Sequence, residues 1–252
     1  MSGRLPDAAV RVPVALMRWD ALAFLHWPYP PEAVAAHLPP GLVPQVLDGA
    51  AWVAVTPFVM RDPRVPGLPA PPAWSRFVEV NVRTYVEHPA SGTDGLWFLR
   101  LLCTRPAVVA GLRAAGVPYR LASGCVEDGG EATRYRARGR AGGTLDLRLV
   151  PGARTAPDPW LTSVTGRWNA YGRRAGRLWR VPVAHAPWPL HTATVEHLDT
   201  DLLEVCGLPR PDGPPHVTWS PGVDVRVGAP RLLARGAGQS WASSQSRSGP
   251  IS

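Results

Sequence analysis

The clearest hydrophobic pattern in the chain is a strict alternation over residues 77–86. One face carries four valines and a threonine, and the other carries, in order, Phe77, Glu79, Asn81, Arg83 and Tyr85. Side chains of a β-strand alternate across the sheet, so this segment is predicted to be one strand with two different faces. The valine-rich face suits a hydrophobic core, because β-branched residues favour strands and pack well there.

The second face of this strand is unusual because aromatic residues bound a polar row of Glu79, Asn81 and Arg83. Such a row is typical of the lining of a small-molecule cavity. The alternative is an outer sheet face with amphipathic side chains, since periodicity fixes the faces of a strand but not what covers them.

The segments before this strand are predicted to be short and rich in turns. Residues 24–31 hold three prolines among aromatic residues and are predicted to form a rigid turn, since proline fixes φ and excludes helix. Residues 62–74 are rich in proline and are predicted to be a loop, either a flap over a site or a plain surface loop. The remaining predictions are a strand at 12–19, a helix at 32–38 and a hairpin of strands 42–47 and 51–60 across Asp48-Gly49.

The rest of the chain is predicted to be mostly antiparallel strands with a few short helices. A helix over residues 159–171 is predicted to begin at the N-cap Asp158, with Pro159 in its first turn. In the strand at 133–140 four arginines share one face, which would be solvated or would line an anionic groove. The other predicted strands are 95–104, 119–126, 144–149, 178–184, 192–198, 216–220 and 223–227; the other helices are 107–115 and 199–206; and residues 185–191 form a second stiff aromatic turn.

Composition supports one α+β domain that is mainly antiparallel β. The chain has 252 residues with 30 Pro and 25 Gly, which favours many turns over long helices. We expect a flexible N-terminus at 1–11, one domain at 12–233 and a disordered tail at 234–252, where Gly, Ser, Gln and Arg dominate. Three widely spaced cysteines and the lack of an 18-residue apolar run favour a cytoplasmic protein that does not span a membrane.

The charge pattern limits the chemistry. The net charge is +8, yet every one of the 27 basic residues is arginine. Without lysine, no side chain can form a Schiff base and no P-loop is present. The arginines are scattered and form no basic arm, which argues against a nucleic-acid partner. We expect a small anionic ligand as partner, and a homo-oligomer stays open.

Glu79 is the strongest candidate for chemistry. If its face is buried and dry, its pKa rises and the carboxyl can act as an acid or base near neutral pH. Arg83 on the same face could bind a substrate carboxylate. His26, His185 and His191 could ligate a metal if their turns met in space, but structural histidines are the favoured interpretation, and we expect neither a metal nor a cofactor.

Several separated motifs resemble one family. Residues 24–28 (Phe-Leu-His-Trp-Pro), 48–53 (Asp-Gly-Ala-Ala-Trp-Val), 77–86, 95–99 (Gly-Leu-Trp-Phe-Leu) and 185–190 (His-Ala-Pro-Trp-Pro-Leu) together resemble the YqjF-like family of uncharacterised bacterial proteins over roughly residues 12–230. The resemblance implies no settled activity.

This family is in turn similar in fold to acetoacetate decarboxylase, which implies a cone-shaped antiparallel β-barrel with short outer helices and a central cavity. Residues 116–122 (Gly-Val-Pro-Tyr-Arg-Leu-Ala) resemble the Gly-x-Pro-Lys-Lys-Leu-Ala segment that supplies that enzyme's Schiff-base lysine. The resemblance implies that Tyr119 stands in place of the nucleophile, Arg120 in place of the second cation, and that Glu79 matches the cavity glutamate. Imine-based decarboxylation is excluded because the chain has no lysine.

Two functions follow from these observations. The first is an enzyme without a cofactor, a lyase, hydratase or isomerase that acts on an oxo acid. The second is a non-catalytic protein that binds a small molecule in the same pocket. In the first, Glu79 and Tyr119 are catalytic, and the substrate-binding residues are Arg83, Asn81, Arg120, Phe77, Tyr85, His26 and Trp27.

Overall fold

A single large sheet organises the part of the chain that the computed structural model describes, which is residue 6 and residues 9–233. Within these residues the strands are β1 (Ala15–Tyr29), β2 (Val43–Pro44), β3 (Val46–Leu47), β4 (Ala50–Arg64), β5 (Arg76–His88), β6 (Thr93–Cys103), β7 (Tyr119–Asp128), β8 (Thr133–Gly139), β9 (Thr144–Arg154), β10 (Asn169–Arg174), β11 (Arg177–His185), β12 (His191–Thr200), β13 (His216–Val227) and β14 (Arg231–Leu232). The helices are α1 (Pro31–Ala35), α2 (Pro106–Ala114), α3 (Pro159–Thr165) and α4 (Leu202–Val205), with 3-10 turns at Pro72–Trp74 and Pro89–Ser91.

The strand pairings return to their starting point. From β6 the order runs β7, β8, β9, β12, β13, β1, β4 and β5, and β5 pairs again with β6. Neighbouring strands are antiparallel except where β6 meets β7 and where β6 meets β10. The prediction of a mainly antiparallel α+β fold with a few short helices is therefore confirmed.

Two hydrophobic cores lie on opposite faces of the central strands. The first core includes Leu25, Val53 and Leu147. The second core includes Phe58, Leu101, Val164 and Leu190. Strand β5 contributes to both, because its valines at 80 and 82 lie in the first core, and its aromatic residues at 77 and 85 lie in the second. The alternation that predicted two faces for residues 77–86 is confirmed.

Several local predictions were wrong. Residues 24–29 continue β1 and do not form a turn; Pro28 lies opposite Trp52 near the end of that strand, where a missing N–H is tolerated. The predicted helix over 159–171 ends at Thr165, since Gly166 leaves helical geometry and Asn169 starts β10. Part of the predicted loop at 62–74 belongs to β4, which runs to Arg64. The two predicted strands at 216–220 and 223–227 are one strand, β13.

Two predictions that rest on local turn chemistry were confirmed. The turn at Asp48-Gly49 joins β3 to β4, and both of its residues have positive φ, as a tight hairpin requires. The N-cap of α3 is Asp158, whose carboxylate accepts a hydrogen bond from the Leu161 amide at 2.7 Å.

The arginine face of β8 is partly neutralised by neighbouring carboxylates. Arg134 makes a two-pronged contact with Asp146, and Arg136 pairs with Glu127. Of the two alternatives for this face, the solvated one fits, since these two arginines take part in surface ion pairs.

No helix in the described residues is long and apolar enough to cross a membrane. The expected tail at 234–252 and most of the expected flexible N-terminus lie outside the described residues.

Gly222 lies where the backbone of β13 passes close to that of β1. Its φ is +129°, and a Cβ added there would overlap the Trp19 carbonyl oxygen. Gly213 also has a positive φ, +86°, but a Cβ added at Gly213 would meet nothing within 4 Å. Comparing a substitution at Gly222 with one at Gly213 therefore distinguishes the cost of backbone strain from the cost of steric overlap.

We expect Gly222→Ala to lower the free energy of unfolding by about 2 kcal/mol or more, because strain and overlap add there. Gly213→Ala should cost only about 1 kcal/mol, from strain alone. Urea unfolding of both variants measures the difference, and equal losses would show that the close approach at Trp19 is not a constraint.

Candidate functional site

A polar row crosses the second core along β5. Glu79, Asn81 and Arg83 are 3%, 6% and 6% exposed. Helix α3 and residues 186–190 pack over the same core. The Trp188 indole N–H donates to the Thr165 carbonyl at 3.0 Å, and this hydrogen bond joins the two segments. The outer-face alternative for this row is therefore wrong.

Glu79 and Tyr119 meet across three strands. Residue pairing places Glu79 of β5 opposite Cys103 of β6, and Tyr119 of β7 beside Leu101 of β6. The Tyr119 hydroxyl donates a hydrogen bond to Glu79 Oε2 at 2.9 Å. The contact joins the two residues that the sequence singled out as catalytic candidates.

Burial raises the pKa of Glu79 to about 7, although hydrogen bonds from Tyr119 and Asn81 act in the opposite direction. Burial, and then the nearby Glu79 charge, hold the pKa of Tyr119 well above its usual range. Glu79 can therefore exchange a proton near neutral pH while Tyr119 stays a neutral donor.

Arg83 is a buried cation that has no carboxylate partner among the residues the structure describes. Its guanidinium lies over the Phe24 ring, 5.4 Å from the centroid, and its Nε has no hydrogen-bond partner among the described residues. In the same part of the chain, no carboxylate comes within salt-bridge distance of it. A buried charge is costly unless it is paired, so this arrangement favours an external anion.

Tyr85 connects Arg83 to His26. The Tyr85 hydroxyl lies 2.7 Å from His26 Nε2 and also bonds with Arg83. Burial, and then the Arg83 charge, lower the pKa of His26 well below its usual range, so the ring is neutral and shares a hydrogen bond with the tyrosine hydroxyl through Nε2. The chain of contacts fixes the position of Arg83.

The structure brings together most of the predicted residues. Those that lie at the second core or its polar row are Phe77, Glu79, Asn81, Arg83, Tyr85, His26 and Tyr119. Arg120 lies beside Leu102 and Trp27 lies in the first core, both on the other face of the sheet. Neither joins the row, because neighbouring residues on a strand point in opposite directions.

Sequence reasoning missed the second buried arginine. Arg167 lies over the Tyr85 ring at 4.9 Å and bonds to Asp94 at 3.1 Å and to Gln45. Nothing in its sequence surroundings separates it from the other arginines. Unlike Arg83, it has a carboxylate partner.

The histidines do not gather into a metal site. His26 lies near His216, with ring centroids 6.5 Å apart, whereas His191 packs on Trp219. Within the described residues, no three His, Cys, Asp or Glu side chains are grouped so that they could hold a metal ion.

Comparison with known proteins identifies the family. The sequence profile of the family described as "Uncharacterized conserved protein" (DUF2071) matches residues 16–224. The chain belongs to this family. The uncharacterized protein YqjF of Bacillus subtilis (strain 168) is 27% identical over 238 residues, which is 89% of this chain and 96% of that protein.

Solved structures share the fold. An acetoacetate decarboxylase-like enzyme from Sphingomonas wittichii RW1 is 15% identical with a TM-score of 0.62, covering 91% of this chain and 96% of that one. The enduracididine biosynthesis enzyme MppR, complexed with the condensation product of pyruvate and imidazole 4-carboxaldehyde, is 14% identical with a TM-score of 0.64, covering 94% and 99%. The chain therefore has an acetoacetate decarboxylase-like fold.

The raised pKa of Glu79 makes stability depend on pH. The folded state holds this proton more tightly than the unfolded chain, so the stabilisation is complete below the usual carboxyl pKa and is lost as pH rises through about 7. We expect the free energy of unfolding of the wild type, relative to Glu79→Gln, to fall by roughly 3 kcal/mol between about pH 4 and about pH 8.

Urea unfolding across this pH range measures the effect, and Glu131→Gln, which replaces an exposed glutamate between β7 and β8, is the matched control. Its curve should run parallel to that of the wild type. Parallel curves for Glu79→Gln and the wild type would contradict the raised pKa.

Proposed function

We propose that this protein binds a small organic anion in the second core and acts on it as a lyase, hydratase or isomerase for an oxo acid, without a cofactor. Arg83 anchors the anion and Glu79 transfers the proton. The observation that carries the proposal is a buried guanidinium without a carboxylate partner among the described residues, on the same strand face as a carboxyl whose pKa is near 7.

The two buried arginines support an external anion. Arg167 is compensated by Asp94, whereas Arg83 contacts the Phe24 ring and the Tyr85 hydroxyl, neither of which carries a charge. Aromatic and hydroxyl contacts offset only part of the cost of burying a cation. A substrate carboxylate would complete the compensation and would be held in a two-pronged contact.

The proposed chemistry is proton transfer by Glu79. Glu79, when ionised, takes a proton from the carbon next to the substrate carbonyl and, when protonated, returns one to the same or a neighbouring carbon. Tyr119 positions the carboxyl by its hydrogen bond. No imine step is available, because the chain has no lysine.

One structural relative is consistent with this substrate class. MppR is described in complex with pyruvate, an oxo acid. The alternative function is non-catalytic binding of the same anion, which is favoured by the absence of a lysine nucleophile. Turnover separates the two.

Replacing each buried arginine distinguishes their roles. We expect Arg167→Met to lower the free energy of unfolding by about 3–5 kcal/mol, because Asp94 is left buried without a cation and keeps only a 3.5 Å contact from Gln45. Arg83→Met should leave the ligand-free protein equally stable or more stable, because it removes an uncompensated cation. Urea unfolding without ligand measures both, and a large loss for Arg83→Met would contradict the proposal.

A thermal-shift screen with pyruvate and larger oxo acids tests binding, and turnover of the hits tests catalysis. A ligand at 100 times its Kd should stabilise the wild type by about 2.7 kcal/mol, and this stabilisation should vanish in Arg83→Met. Glu79→Gln should still bind but lose about 100-fold or more in kcat. Binding with no turnover in the wild type would favour the non-catalytic alternative.

Tyr119→Phe tests the positioning role. Removing its hydrogen bond should raise the pKa of Glu79 further, so the pH midpoint of the rate moves to higher pH. An unchanged midpoint would show that Tyr119 does not act through Glu79.

A further inference from the structure

A cavity of about 740 Å³ lies outside the polar row. It is bounded by the end of β9, α3 and residues 185–190, and its lining includes Arg154, Thr162, Trp168, His185 and Trp188. The three residues central to the proposed function, at positions 79, 83 and 119, do not line it. Its volume falls in the range of small-molecule sites.

Three aromatic rings form a continuous wall of this cavity. The His185 ring lies 4.7 Å from the Trp168 ring and 4.8 Å from the Trp188 ring, measured between centroids. Burial lowers the pKa of His185, the Ala186 carbonyl acts in the opposite direction, and the Arg83 charge lowers this pKa further, so the ring is neutral. Neutral aromatic walls at these spacings favour a planar ring as the occupant.

The charge around the cavity favours an anion. Arg154 is exposed at the rim, and among the described residues it pairs with no carboxylate. None of the described lining residues is Asp or Glu, and the nearby Asp158 is engaged in capping α3. Trp168 is 7% exposed, and its indole N–H has no hydrogen-bond partner within the described part of the chain.

We propose that this cavity binds a planar aromatic carboxylate, with its ring against Trp168, His185 and Trp188 and its carboxylate towards Arg154. The site differs from the one proposed for the oxo acid, since neither Arg83 nor Glu79 lines this cavity.

Isothermal titration calorimetry with three probes tests the proposal: naphthalene-2-carboxylate, its amide, and cyclohexanecarboxylate. The planar carboxylate should bind saturably, and more tightly than either of the others. Arg154→Gln should lower the affinity for the carboxylate by about 2–5-fold and leave the affinity for the amide unchanged. Arg138→Gln, which replaces an exposed arginine on β8, is the matched control and should change neither of these two affinities.

The indole N–H resonances locate the probe. On titration, the resonance of Trp168, assigned with Trp168→Phe, should shift, whereas that of Trp27 in the first core should not. Arg83→Met should still bind the probe, so failure here and failure of the proposed function are distinguishable. Absence of binding, equal affinity for carboxylate and amide, or an unmoved Trp168 resonance would overturn the proposal.

Discussion

Strand β5 is covered on both faces, and this constraint governs the rest of the structure. Val80 and Val82 lie in the first core, so the strand cannot slip by one residue without turning them towards the second. The same register fixes Glu79, Asn81 and Arg83 in a buried row beneath α3 and residues 186–190. The polar row is thus positioned by the packing of the opposite face.

The two buried arginines show how similar side chains acquire different roles. Both lie against Tyr85, Arg167 over its ring and Arg83 at its hydroxyl. Arg167 is neutralised within the chain by Asp94, so its role is to stabilise the fold. Arg83 has only uncharged contacts among the described residues. Its charge is therefore left to attract an anion that enters the second core.

The alternation in residues 77–86 predicted the central strand and its two faces, and residue types within it predicted Glu79 and Arg83 as candidates. Their contacts, Tyr119 for Glu79 and Phe24 for Arg83, come from distant segments. The periodicity of one strand cannot predict which distant residues will lie beside it. The proline-rich stretch at 24–31 misled the prediction because Pro28 lies at the end of a strand, where its missing N–H costs little. The resemblance of residues 116–122 to a known segment supplied Tyr119, which no pattern in the chain would have selected.

The pairing of β1 with β13 has a consequence for synthesis on the ribosome. Ala15 pairs with Val227, so one edge of β1 has no partner until residues about 200 positions further along the chain have been made. Such distant pairing slows folding, and an open strand edge can pair with other chains. That edge of β1 is therefore open to pairing with other chains until β13 emerges from the ribosome.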